Sequence, residues 1–137
     1  MGFQVWAVLS ALFAGLTAIL AKKGVEEVPA NLAVAIRVTV VLVAAWAIAV
    51  LTKQTRMANI NTRAWFFLAA SGLATGASWM CYFRALKLGP VSKVAPIDKL
   101  SFVIAMILGF VVLHEKPSLN LVGGAVLIVT GVMLTLR

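Results

Sequence analysis

Residues 31–51 read NLAVAIRVTVVLVAAWAIAVL, a run of apolar side chains interrupted by one charged residue, Arg37. A helix that crosses the hydrocarbon core of a bilayer needs about 20 mostly apolar residues. Similar runs lie at residues 3–21, 64–83, 94–113 and 119–136. These runs are continuously apolar, whereas the strands of membrane barrels alternate and are about half as long. The sequence therefore predicts an all-α integral membrane protein, a bundle of about five transmembrane helices.

The composition indicates that lipid surrounds most of the chain. Hydrophobic residues make up 63% of the 137 and charged residues 12%, with a mean hydropathy of +1.06. A soluble domain is nearer 45–50% apolar and about 25% charged. The gaps between the runs are too short for a soluble domain, so residues 1–137 are predicted to form one transmembrane domain. No Lys or Arg precedes the first run, which predicts a membrane helix rather than a cleaved signal peptide.

The basic residues lie mostly between the apolar runs, where they flank membrane helices. A nucleic-acid binder gathers them on one face instead, so no nucleic-acid partner is predicted despite a net charge of +8. Five crossings put four basic residues on one side of the membrane and six on the other, a weak bias. The four are Lys53, Arg56, Arg63 and Lys116, and the six are Lys22, Lys23, Arg84, Lys87, Lys93 and Arg137. Two alternatives follow: one orientation with the six-charge side in the cytoplasm, or insertion both ways with antiparallel pairing.

Charges inside predicted spans are the strongest candidates for function, because they are costly in lipid and normally face the bundle interior. Arg37 lies about two turns into the second span, and Asp98 lies in the first turns of the fourth, on one face with Ser101. One interpretation makes Asp98 a proton- or ion-responsive carboxylate and Arg37 a contact for substrate or for a counter-charge. The other is a structural Arg37–Asp98 ion pair. Lys99, rotated away from Asp98, is interpreted as an anchor that reaches the membrane interface.

Polar and small residues mark the helix faces expected to meet other helices or a cavity. In the third span a stripe of hydroxyl side chains with a neighbouring indole exceeds what packing needs, which indicates a polar cavity. Its members are Ser71, Thr75, Ser78 and Tyr82, with Trp79 at the edge. Helix packing is the interpretation for the glycines Gly72, Gly76, Gly124 and Gly131.

No catalytic constellation can be assembled from these residues. The chain has one His and one Cys, and it lacks HExxH, GxSxG and a glycine-rich loop after a strand. Neither an enzyme, a metal site nor a cofactor is predicted.

Two segments resemble a known family. They are YFRALKLGPVSKVAP at residues 82–96 and VLHEKPSLNLVGGAVLIVTGVMLTL at residues 112–136. Together with five helices in the right order, they resemble the second half of the EamA domain of the drug/metabolite transporter superfamily. Glu115 matches a recurrent acidic residue after the fourth helix and Pro96 a recurrent proline near its start. His114 stands where the family commonly has Gly.

The resemblance implies a transporter built from one five-helix unit, like the short single-unit branch of the superfamily. Members with two tandem units arrange them as inverted repeats, which a single-unit chain can reproduce by pairing two copies in opposite orientations. The resemblance thus implies an antiparallel homodimer in a bacterial or archaeal cytoplasmic membrane, exporting a small polar or amphipathic metabolite. A non-transporting accessory subunit and a flippase for lipid-linked carriers are the alternatives.

Overall fold

The computed structural model describes residues 2–57 and 60–136, and every regular element in these ranges is a helix. The elements are α1 (Phe3–Glu27), α2 (Ala30–Leu51), α3 (Thr62–Leu88), α4 (Val91–Asp98), α5 (Leu100–Val112) and α6 (Leu119–Thr135). The all-α prediction is therefore confirmed for the part of the chain described. Arg137, one of the six basic residues predicted to share a side of the membrane, lies outside the described residues.

The five predicted spans all coincide with helices. Helices α1, α2 and α3 are each long and apolar enough to cross a membrane, and so is the combined stretch Val91–Val112 formed by α4 and α5. Helix α6 is apolar but shorter, with 17 residues. Most large apolar side chains of these helices are exposed. In water such a surface would drive association, whereas in lipid it is the expected exterior of a multi-pass membrane protein.

Two predicted connections were too long. Helix α1 continues to Glu27 and α3 continues to Leu88, so residues 22–27 and 84–88 are helical rather than loop. Lysine and arginine are good helix formers and do not end a helix. The breaks come instead at Pro29 and Pro90, each of which immediately precedes the next helix. Proline disfavours helical backbone in the residue before it, so it separates the elements cleanly.

Two prolines, Pro90 and Pro96, lie near the start of the fourth predicted span, residues 94–113. Residues Val91–Asp98 are helical, and the interruption lies at Lys99. There the Lys99 amide donates to the Pro96 carbonyl at 3.1 Å, three residues back, and the Lys99 carbonyl accepts from the Phe102 amide at 3.1 Å. Pro90 starts α4 with a favourable backbone angle, and Pro96 lacks the N–H of a regular α-helical bond. After Pro96 the backbone hydrogen bonds therefore shorten from a four-residue to a three-residue spacing, and the helix is interrupted at Lys99.

The chain divides into two compact units, residues 1–88 and 89–137. In the first, α3 packs against both α1 and α2, and the buried side chains are Ala18, Val25, Val34, Phe83 and Leu86. In the second, α6 packs against α4 and α5 around the buried residues Gly109, Ala125 and Val132. The sequence-based expectation of a single domain stays a prediction.

A sharp turn follows α5, at the HEKPS segment. His114 adopts a positive φ of 54°, and the Glu115 amide donates to the Gly109 carbonyl at 3.2 Å. Histidine tolerates this left-handed backbone better than most non-glycine residues. Ser118 then begins α6, its hydroxyl accepting from the Leu121 amide at 3.4 Å. Residues 114–118 thus form a turn that leads into α6.

The ends of α1 and α3 are joined by two reciprocal lysine contacts. The Lys22 ammonium donates to the Leu86 carbonyl at 2.8 Å. The Lys87 ammonium donates to the carbonyls of Val25, Glu26 and Val28 at 2.8, 3.2 and 3.1 Å. The last carbonyls of a helix have no partner within the helix, and a cation there also favours the helix dipole. Each helix therefore supplies the cap of the other.

Replacing Lys87 with Met should destabilise the first unit by about 1–3 kcal/mol, since hydrogen bonds from a charged donor contribute that much. Methionine keeps the helix propensity and the aliphatic stem. Thermal unfolding of purified protein, followed by circular dichroism, measures the change. The matched control is Lys23→Met, because Lys23 is exposed and donates no hydrogen bond to the described residues. Equal loss in both variants would contradict the capping role.

Candidate functional site

Arg37 lies about two turns into α2 and is half-buried. Its guanidinium carbon is 4.3 Å from the ring centroid of Trp79 and 5.5 Å from that of Phe83, both on α3. Such distances are those of cation–π contacts. Trp79 and Phe83 are four residues apart and share one helix face, so a single turn of α3 presents both rings to the same cation.

The structure gives Arg37 aromatic neighbours rather than an acidic one in its own unit. Across residues 2–57 and 60–88 the ion pair is Lys22–Glu26, at 3.8 Å between Nζ and Oε1 on α1. The structural Arg37–Asp98 pair considered from the sequence involves residues of different units and stays a prediction. Within the described residues of the first unit, the groups in contact with the Arg37 charge are the rings of Trp79 and Phe83.

A cavity of about 300 Å³ adjoins Arg37. Small residues on the facing helices, Ala21 and Gly24 on α1 and Ala33 on α2, leave this space because they have little or no side chain to fill it. The full lining comprises Thr17, Leu20, Ala21, Gly24, Ala33, Ile36, Arg37 and Phe83. Apart from Arg37 and Thr17 these side chains are apolar, so the cavity combines one cationic group with an apolar wall.

The hydroxyl stripe of α3 lies apart from this cavity. Ser71, Thr75 and Ser78 are exposed, and the Thr75 hydroxyl donates to the Ser71 carbonyl at 2.9 Å within the same helix. Trp79 and Tyr82 are half-buried. Of the five residues predicted along this stripe, the structure brings Trp79 to Arg37. A pathway role for the others stays a prediction, and their exposure leaves them available to another molecule.

The four glycines assigned to helix packing have open space around them. A Cβ built on Gly72, Gly76, Gly124 or Gly131 meets no other side chain or neighbouring helix within 4 Å in the described chain. Close helix approach at these positions is thus not made within the described residues of one protomer. Their role in helix packing remains a prediction.

Asp98 and Lys99 lie at the α4–α5 interruption. Asp98 Oδ2 is 3.7 Å from Lys99 Nζ, and both side chains are partly exposed, as is Ser101 nearby. A cavity of about 580 Å³ is lined here by Pro96, Lys99, Phe102, Ile128, Gly131, Val132 and Thr135. Lys99, interpreted from the sequence as an interfacial anchor, therefore also lines a cavity. In the sequence, Pro96 was the signal for this position of Lys99, because a proline three residues earlier places Lys99 where the helix breaks.

Phe83 is the residue that the sequence analysis missed at Arg37. It both contacts the guanidinium and lines the adjoining cavity. Its position four residues after Trp79 was the available signal, but an apolar residue near the end of a span attracts no attention by itself. Among the described residues, no group of three His, Cys, Asp or Glu side chains is arranged to hold a metal ion.

Comparison with known proteins identifies the family. The EamA-like transporter family matches residues 3–137. A protein of Sinorhizobium sp. named "Uncharacterized transporter in cobO 3'region" is 49% identical over 133 residues, which cover 96% of this chain and 94% of that protein. No solved structure matches the chain.

The match spans nearly the whole chain, and the helices and the apolar exterior of the described residues agree with it. The family points to a transporter rather than an enzyme. The chain therefore belongs to the EamA-like transporter family and is a multi-pass membrane transporter.

Proposed function

We propose that this protein is a secondary transporter that exports a small polar or amphipathic metabolite across a bacterial or archaeal cytoplasmic membrane. The observation that carries the proposal is Arg37, a half-buried cation within a membrane helix beside a cavity. An arginine at the centre of a membrane helix costs about 2.5–3.5 kcal/mol on insertion scales. Cation–π contacts offset about 0.5–2 kcal/mol of this. A charged residue with so unfavourable an insertion free energy is a candidate for a functional role.

The working form we propose is an antiparallel homodimer, in which one protomer rocks against its inverted copy to give alternating access. Two observations support it. The basic residues are divided four against six between the two sides for five crossings, a bias weak enough for insertion in both orientations. Ser71, Gly72, Thr75 and Ser78 of α3 are exposed, which leaves a polar, small-residue face for a second protomer.

The orientation of the C-terminus tests the homodimer. A reporter active only in the cytoplasm and another active only outside it are fused in turn after Arg137. Both fusions are expected to give signal, because both orientations are inserted. Signal from one fusion alone would contradict the antiparallel homodimer and would require a second, oppositely oriented chain.

Transport itself is tested by counterflow in vesicles reconstituted with the purified protein. Saturable exchange of a labelled metabolite across the membrane is the expected result. A protein that exchanges nothing but co-purifies with a defined membrane complex would instead be the accessory subunit considered above. Movement of a fluorescent lipid-linked carrier between leaflets would support the flippase.

A further inference from the structure

We propose that Arg37 binds the anionic group of an amphipathic substrate whose apolar part occupies the adjoining cavity. The inference rests on the proposed transport function and narrows its substrate class to amphipathic anions. The anion is a carboxylate or a phosphate, carried either by a soluble metabolite or by a lipid headgroup. The two sources share the chemistry that Arg37 recognises.

The N–H groups of Arg37 are arranged to bind an anion. The guanidinium is planar and carries five N–H donors around its edge, while a ring stacked on it occupies a face. Trp79 lies 4.3 Å from its central carbon, yet within residues 2–57 and 60–88 the guanidinium has neither an ion pair nor a hydrogen bond. Polar groups in an apolar environment are costly without a hydrogen-bond partner. A bidentate anion is the ligand that matches these donors.

The cavity beside Arg37 is suited to a compact apolar group. Its volume of about 300 Å³ is at the lower end of the range for small-molecule sites, which favours a small ligand. Leu20, Ile36 and Phe83 make its walls apolar. A fully polar anion would lose hydration against these walls without compensation, and a cation would be repelled by Arg37. An anionic group with a compact apolar body satisfies both parts of the site.

Trp79 provides a direct measurement of binding. A variant with Trp6, Trp46 and Trp65 replaced by Phe leaves Trp79 as its sole tryptophan and is placed in phosphatidylcholine nanodiscs. Bromine quenches tryptophan fluorescence at short range, so para-bromophenylacetate and para-bromophenylethanol serve as an anionic and a neutral probe of similar shape. We expect the anion to quench Trp79 with about tenfold higher affinity than the alcohol, as a charge-assisted hydrogen bond predicts.

Matched variants separate the anion contact from general effects. Arg37→Gln should reduce the affinity for the anion to that for the alcohol. Arg63→Gln is the control, since Arg63 also lies over an aromatic ring, 5.7 Å from the centroid of Phe67, but does not line the cavity. Equal quenching by the two probes, or undiminished quenching in Arg37→Gln, would overturn the proposal.

A second variant guards against misfolding of Arg37→Gln. Gly24→Leu keeps the charge and fills the cavity, and a Cβ at this position meets no other side chain or neighbouring helix within 4 Å. It should weaken anion quenching at least as much as alcohol quenching. Unchanged binding of the anion in a folded Gly24→Leu protein would also overturn the proposal.

The source of the anion is resolved by adding phosphatidylglycerol to the nanodiscs. A larger loss of affinity for para-bromophenylacetate than in Arg37→Gln, where the loss measures repulsion of the probe by the anionic membrane, indicates a lipid headgroup at Arg37, and an equal loss indicates a soluble anion. This binding measurement requires no transport. Selective anion binding without counterflow would therefore contradict the transport proposal while supporting the site, and counterflow without selectivity for anions would do the reverse.

Discussion

Replacing Phe83 with Ala is expected to cause the largest loss of stability of any single truncation in the first unit. Phe83 is 3% exposed, lies edge-on to Tyr82 with ring centroids 6.4 Å apart, and contacts Arg37. Truncating a buried phenylalanine to alanine leaves a cavity and lowers the free energy of unfolding by about 3–5 kcal/mol. The lower end applies here, because lipid is as apolar as the protein interior and the transfer component is small.

Denaturation in mixed micelles, followed by circular dichroism, measures the effect of Phe83→Ala. The matched control is Phe66→Ala on the same helix, because Phe66 is 69% exposed and its removal leaves no internal cavity. Phe83→Ala should also change the quenching of Trp79 fluorescence by para-bromophenylacetate. It removes one wall of the cavity and one of the two rings near Arg37. Equal destabilisation by both variants would show that Phe83 is not part of a packed core.

Replacing Asp98 with Asn is expected to abolish the response of transport to a pH gradient. Asp98 is the sole carboxylate in the stretch Val91–Val112, and it lies beside the helix interruption at Lys99. A carboxylate at such a break can exchange a proton when the helices on either side move, whereas an amide cannot. The expected result is a transport rate that is the same with and without the gradient.

Two controls distinguish proton coupling from structural roles of Asp98. Glu115→Gln removes a carboxylate outside the helices and should leave the pH response intact. Lys99→Gln removes the partner at 3.7 Å and tests whether Asp98 acts merely as an ion-pair partner. If Lys99→Gln abolishes the response as completely as Asp98→Asn, the ion pair matters rather than the proton. An undiminished response in Asp98→Asn would remove Asp98 from the mechanism.

The helices were predictable because each is long and its preference for lipid is summed over many residues. The errors fell at helix ends, where Lys22 and Lys87 were read as loop residues. From sequence alone a lysine after an apolar run is equally compatible with a loop and with a last helical turn. The decisive contacts are with carbonyls of another helix, some 60 residues away in the chain. Local patterns carry no information about such partners.

The candidate site, too, was predictable from the sequence only in part. Arg37 and Asp98 stood out because a charge in an apolar run is costly wherever the helix packs. The residues predicted along the hydroxyl stripe of α3 do not share one environment. Trp79 contacts Arg37, while Ser71 and Ser78 are exposed. Helical periodicity defines which residues share a face, but the rotation of that face depends on the neighbouring helices.

The sequence by itself determined that this chain is a helical membrane protein, which family it resembles, and that Arg37 is costly in its span. These properties follow from hydropathy and residue order, which are local. The tertiary structure alone decided that Trp79 and Phe83 meet Arg37 and that Gly24 and Ala33 leave a cavity beside it. Lipid solvates every apolar helix face about equally well. The contacts between helices therefore depend on side-chain fit rather than on hydrophobicity.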